Sequence, residues 1–112
     1  MSDCLFCKIA AGLIPCDKVY EDDDYVAFSD INPQAPVHIL VVPRRHMPKV
    51  ADMTPADGNL VGGLFYVAAK VCAEKGIADY RLVINNGAGA GQSVFHIHLH
   101  ILAGRAFSWP PG

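Results

Sequence analysis

Residues 96–102 read His-Ile-His-Leu-His-Ile-Leu, and this alternation leaves the chain little choice. Successive side chains of an extended strand point to opposite faces. His96, His98 and His100 therefore share one face, while Ile97, Leu99 and Ile101 share the other. The aliphatic face calls for a core, and the histidine face must then meet something polar. Alternate positions on a strand lie ~6.6 Å apart, which puts His96 and His100 ~13 Å from each other. A zinc–nitrogen bond is about 2.1 Å, so one metal ion can join two neighbours in this row but hardly the outer two. The row implies divided labour.

The rest of the chain supplies strands to pair with this one. Residues 37–43 are apolar on both faces, the pattern of a central strand covered on both sides. His38, Leu40 and Val42 fall on one face; Val37, Ile39 and Val41 fall on the other. Residues 18–21, 25–29 and 80–85 also read as strands. The acidic run at residues 21–24 is a solvated turn, because the ligand spacing of an EF-hand is missing. Residues 30–36 hold two prolines and an Asn-Pro step and form a loop. A short helix is expected over residues 4–11, ended by Gly12. A long one starts at Thr54-Pro55-Ala56-Asp57, where Thr54 can cap and Pro55 suits the first turn. It runs to about Lys75 and stops at Gly76. Leu60, Leu64, Val67 and Val71 form one apolar stripe; Val61, Phe65, Ala68 and Cys72 form a second. The width predicts that one stripe covers the sheet and the other meets a second subunit. With few helices between strands, the expected class is α+β: an antiparallel sheet with the long helix on one face.

Length and charge narrow the function. At 112 residues with 52% hydrophobic content, one domain with a real core is expected. A net charge of −2 gives no general attraction to nucleic acid or anionic membrane. No run approaches the ~20 apolar residues of a membrane span. The start of the chain shows no signal-peptide pattern, so a cytoplasmic location is expected. Cys4 and Cys7 form a C-x-x-C pair, while Cys16 and Cys72 stand as single thiols.

Three motifs carry chemistry. The histidine row suits either a zinc hydrolase, in which the metal activates water, or a neutral imidazole acting as nucleophile near pH 7. No Asp or Glu stands among these residues as a further ligand, which favours the nucleophile. Just before the row, residues 86–93 hold three glycines within five positions. Backbone N–H groups of such a loop can cradle an anion, with Gln92 and Ser93 adding side-chain donors. The lysine of a P-loop is absent. The C-x-x-C pair is poorly placed for thioredoxin-like redox chemistry and better suited to zinc, which needs two further ligands. Arg44 and Arg45 read as solvated surface.

His96 to Leu102 resembles the histidine triad pattern, H-φ-H-φ-H-φ-φ, at every position. Asn85, Gly87, Gly91, Gln92 and Ser93 sit where that family places its phosphate loop. His38 in PVHILVVP, Asp30 in FSDINPQAP and the final WPPG look like its Hint branch. The resemblance spans essentially the whole chain. It implies a five-stranded antiparallel sheet with two helices, and homodimers with a continuous sheet. It implies a hydrolase that binds purine nucleotides and cleaves nucleoside 5′-phosphoramidates. His98 would attack the α-phosphorus to give a nucleotidyl-histidine. His100, His38 and Ser93 would hold phosphate oxygens and assist the leaving amine. Asn85, with the loop residues Gly91 and Gln92, would help bind substrate; Asp30 would receive the ribose hydroxyls and Ile31 would flank the base. Trp109 would reach the partner's site. Relatives with the C-x-x-C pair imply a structural zinc on Cys4, Cys7, His46 and His96. His98 then needs an acceptor for its other ring nitrogen, for which a backbone carbonyl is suited. Two rivals remain open: a diadenosine polyphosphate hydrolase of the same family, and a nucleotide-sensing or scaffold protein with incidental hydrolysis.

Overall fold

The doubly apolar segment takes the centre of the sheet. In a computed structural model, which describes residues 3–112, strand β3 (Val37–Pro43) lies between β2 (Tyr25–Ser29) and β5 (Leu99–Ala103). The edges are β1 (Lys18–Glu21), beside β2, and β4 (Arg81–Val83), beside β5, so the order is β1-β2-β3-β5-β4 with every neighbour antiparallel. Met1 and Ser2, at the chain start where no signal-peptide pattern is read, lie outside the described residues.

Each face of the sheet has its own helix. The long helix α2 (Gly58–Glu74) covers β3 and β5. Its core partners are Ile39 and Val41 of β3 with Ile97, Leu99 and Ile101, the last three being the aliphatic half of the histidine alternation. On the other face the short helix α1 (Leu5–Ala10) places Phe6 and Ile9 against Val26, Phe28, Leu40 and Val42. The histidines point to this second, thinner side, where a six-residue helix leaves room beside it. Burying one such aliphatic side chain contributes roughly 1.5–3 kcal/mol, so the pattern fixes which face the imidazoles must take. No helix of the described residues is long and apolar enough to cross a membrane.

The helix starts largely as expected. Thr54 and Asp57 close a capping box, and Pro55–Asp57 makes one 3₁₀ turn before α2 begins. Asp57 is buried and paired with Arg45, and Arg44 donates to the Ala10 and Asp22 carbonyls; both arginines are therefore structural. The two stripes of α2 need correction. Val61, Ala68 and Cys72 of the second stripe are buried within the same chain, together with Leu64, Val67 and Val71. One wide face packs on the sheet because Gly63 lets it come close. A Cβ there would stand 1.9 Å from the Tyr25 hydroxyl, which donates to the Leu60 carbonyl at 2.6 Å. Only Phe65 of the two stripes stays substantially outside, beside Tyr66.

Two strands are shorter than their patterns. Residues 80–85 pair only over Arg81–Val83. The histidine strand joins the sheet only at Leu99. Ahead of it, Ile97 N–H donates instead to the Met47 carbonyl at 2.6 Å, so His96 and His98 lie outside the ladder.

Candidate functional site

The histidine row divides into two clusters. At one end, the Nδ1 atom of His96 stands 3.3 Å from Cys4 Sγ, 3.5 Å from Cys7 Sγ and 3.2 Å from His46 Nδ1. Cys7 Sγ is 3.3 Å from His46 Nδ1. Ligands of a tetrahedral zinc ion lie about 3.3–3.8 Å apart, given its bond lengths. The four donor atoms fit such an ion. The donor chemistry agrees. His96 Nε2–H donates to the Pro43 carbonyl at 2.7 Å, which leaves Nδ1 with a lone pair and no proton in the neutral ring. His96 is fully buried, and burial pushes its pKa down. Cys4 caps α1, its sulfur accepting from Cys7 N–H, so the cysteines are presented by one helical turn.

At the other end, hydrogen bonds determine where each proton sits. His98 Nδ1–H donates to the His96 carbonyl at 2.8 Å, the kind of acceptor expected from the sequence. Its Nε2 is left as the lone pair. Gln34 N–H donates to His38 Nδ1 at 3.0 Å, so neutral His38 carries its proton on Nε2. That proton faces His100 Nδ1 at 2.9 Å. His100 is then protonated on Nε2, a buried atom with no partner among the described residues. A lone pair on His98 and an N–H on His100 thus stand side by side, their ring centroids 4.9 Å apart. Burial holds the pKa of His98 and His38 below the ordinary value. His100 is pushed down to about 4, by burial first and then by His98 and His38.

These groups border a cavity of about 360 Å³, within the range of small-molecule sites. Asp30, Ile31, Ser93, His98 and His100 border it with an apolar wall that includes Phe6, Ile9, Phe28 and Leu40. The edge of the Phe6 ring meets the His98 ring at 5.0 Å. This wall was not legible in the sequence, where residues 4–11 showed only as a short helix. A carboxylate is also near after all: Asp30 Oδ2 lies 3.4 Å from His38 Nε2, because Asp30 N–H bonds the His38 carbonyl across the loop.

Other expected residues take different places. Both amide donations of Gln92 go to the Pro48 and Val94 carbonyls, at 2.7 and 3.0 Å, and its oxygen accepts from Gly87 N–H. Gln92 therefore shapes the loop rather than offering donors to the cavity. Gly91 adopts a left-handed φ of 97° to close the 3₁₀ turn Ala88–Ala90. Asn85 lies against Gly91 and does not border the cavity. Ile31 touches the cavity rim but is 99% exposed, and Trp109 is 83% exposed. Cys16 borders the apolar wall, whereas Cys72, on α2, is buried in the core between that helix and the sheet.

Fold and site together define an α+β protein with a histidine row shared between a metal-ligand cluster and a ligand-sized cavity. The chain belongs to the HIT family: the HIT domain matches residues 11–107. A HIT-like protein of Synechocystis is 56% identical over 111 residues, covering 98% of this chain and 97% of that protein. The structure of a HIT family hydrolase from Legionella pneumophila is similar with a TM-score of 0.95 and 46% identity, over 98% of this chain and 100% of that one. A histidine triad family protein from Mycobacterium smegmatis, solved with zinc bound, has a TM-score of 0.82 and 31% identity, over 98% of this chain and 80% of its own.

Proposed function

We propose that this chain is a Hint-type hydrolase that cleaves the P–N bond of purine nucleoside 5′-phosphoramidates. One observation carries the reading: the His98 Nδ1–H bond to the His96 carbonyl leaves an unprotonated Nε2 at the cavity, beside the orphaned Nε2–H of His100. A neutral imidazole next to a fixed donor is what attack on phosphorus requires.

In this mechanism the apolar wall of Phe6, Ile9 and Phe28 receives the base, Asp30 the ribose, and Ser93 with the loop amides the phosphate. The His98 Nε2 lone pair forms a bond to the α-phosphorus as the bond to the amine breaks. The phosphate's negative charge draws a proton onto the His100–His38 pair, with the Asp30 carboxylate beside His38 to balance it. The amine leaves with that proton. Water then attacks phosphorus, releases the nucleoside monophosphate, restores His98 and returns the proton. Gln92 and Asn85 act by shaping the loop.

Cys4, Cys7, His46 and His96 would hold a zinc ion, and four protein ligands leave no open position, so the ion supplies structure rather than an activated water. We place the protein in the cytoplasm as a homodimer of one-domain subunits. The exposed Phe65 and Tyr66 support an interface on α2. The exposure of Trp109 supports its placement toward the partner's site.

The test compares adenosine 5′-phosphoramidate with diadenosine polyphosphates as substrates. Faster turnover of the phosphoramidate is expected, and His98→Ala should abolish it. A strong preference for the dinucleotide would move the protein to the other hydrolase group. Turnover unchanged in His98→Ala would remove the nucleophile, and no turnover of either substrate would favour a binding protein.

A further inference from the structure

The two clusters meet in a single residue. The imidazole of His96 belongs to the metal-ligand cluster, and its main-chain oxygen accepts the proton that sets the His98 tautomer. Neither residue is held by the sheet, since pairing between β3 and β5 begins at Leu99. What holds this stretch is residues 43–48. The Pro43 carbonyl takes His96 Nε2–H, the Met47 carbonyl takes Ile97 N–H, and the Pro48 carbonyl takes the Gln92 amide. His46 lies in the same segment and faces His96 directly. The cluster therefore joins residues 43–48, the start of α1 and the backbone of the nucleophile.

We infer that His96 is a positioning residue for the reaction, and that a cation bound by Cys4, Cys7, His46 and His96 fixes the place and tautomer of His98 through the His96 main chain. The role of His98 rests on the function proposed above; the link from cluster to His98 can be read without turnover. With a cation bound, the His96 ring is anchored at both nitrogens, by the ion at Nδ1 and by the Pro43 carbonyl at Nε2. Without the ion the ring can pivot about its one hydrogen bond to Pro43; with the ion it cannot, and the His96 carbonyl stays aimed at His98. Outer groups that orient a ring in this way commonly change activity by about 10–100-fold when lost. Coupling between two sites is also reciprocal, so a ligand pressing on His98 must be felt at the ion.

The protein loaded with cobalt(II), titrated with adenosine 5′-monophosphate, tests this in the folded state. The visible ligand-field band should shift on saturation in the natural protein and stay fixed in cobalt-loaded His98→Ala. An unmoved band in the natural protein at saturation overturns the inference. So does an equal shift in His98→Ala, which would route the effect through α1 and its Phe6. In parallel, nitrogen-15 NMR of the histidine rings compares zinc-loaded and chelated protein. A single Nδ1–H tautomer of His98 with zinc should become a mixture without it, and turnover should drop at least about 10-fold. An unchanged tautomer in a chelated protein that remains folded overturns the inference. If the nucleotide does not bind, the proposed function fails and the NMR comparison alone decides the coupling. If chelation unfolds the chain, the cobalt titration decides it.

Discussion

His100 shows how much a single side chain is shaped by its neighbours. It shares a face with His98, but its Nδ1 accepts from His38 while its Nε2 has no partner among the described residues. Burial and two adjacent imidazoles bring its pKa to about 4, from 6.5. The unfolded chain therefore binds this proton first as pH falls. The stability gained by keeping His100 neutral is complete above 6.5 and is lost as pH drops toward and through 4. Thermal unfolding at constant ionic strength should show a falling Tm across that window, and His100→Asn should flatten the slope. An identical slope in the variant would assign the acid sensitivity elsewhere. At this scale the sequence was partly legible. The alternation identified the shared face, and the nucleophile role that the resemblance implies for His98 called for an acceptor on its other ring nitrogen. Neither could show that Asp30 returns to His38, because that contact depends on how the proline-containing loop closes. Nor could they show that the Gln92 donors turn inward to Pro48 and Val94.

Among the elements, β3 was read to its exact ends because both faces are apolar and its length is set by flanking prolines and arginines. The histidine strand was read too long, since pairing partners decide where a ladder starts and alternation does not. Helix α2 was located by its cap, but its two stripes were divided wrongly, because one of two adjacent glycines, Gly63, lets the helix come close to the sheet. Those glycines differ sharply. Gly63 faces the Tyr25 ring, whereas a Cβ at Gly62 meets nothing within 4 Å. Gly63→Ala should destabilise by about 1–3 kcal/mol through overpacking. Gly62→Ala should stabilise by up to about 1 kcal/mol through helix propensity. Urea unfolding of both variants checks the pair, and equal effects would contradict the close contact. The short helix α1 was expected, but its role as a cavity wall was hidden: its apolar side meets residues of β2 and β3 that are remote in sequence.

For the whole molecule, the two faces of the sheet have different work. The α2 face provides most of the core, and the α1 face carries both histidine clusters. The metal-ligand cluster ties α1 to the rest of the chain, so chelation should lower Tm by at least about 5 °C, the equivalent of about 1 kcal/mol in a chain of this size. Cys4→Ser should do the same without a chelator. A Tm unmoved by both would argue against a bound metal. Sedimentation should give a dimer that Phe65→Glu weakens, and a monomer at micromolar concentration would rule out the α2 interface. The most direct test of the chemistry is capture of the covalent intermediate. Protein mixed with adenosine 5′-phosphoramidate, quenched within its first turnover in alkali and cleaved to peptides, should carry an adenylyl group on His98, and none should form in His98→Ala. An adduct on another residue, or full turnover with no adduct on any histidine, would contradict His98 as the nucleophile.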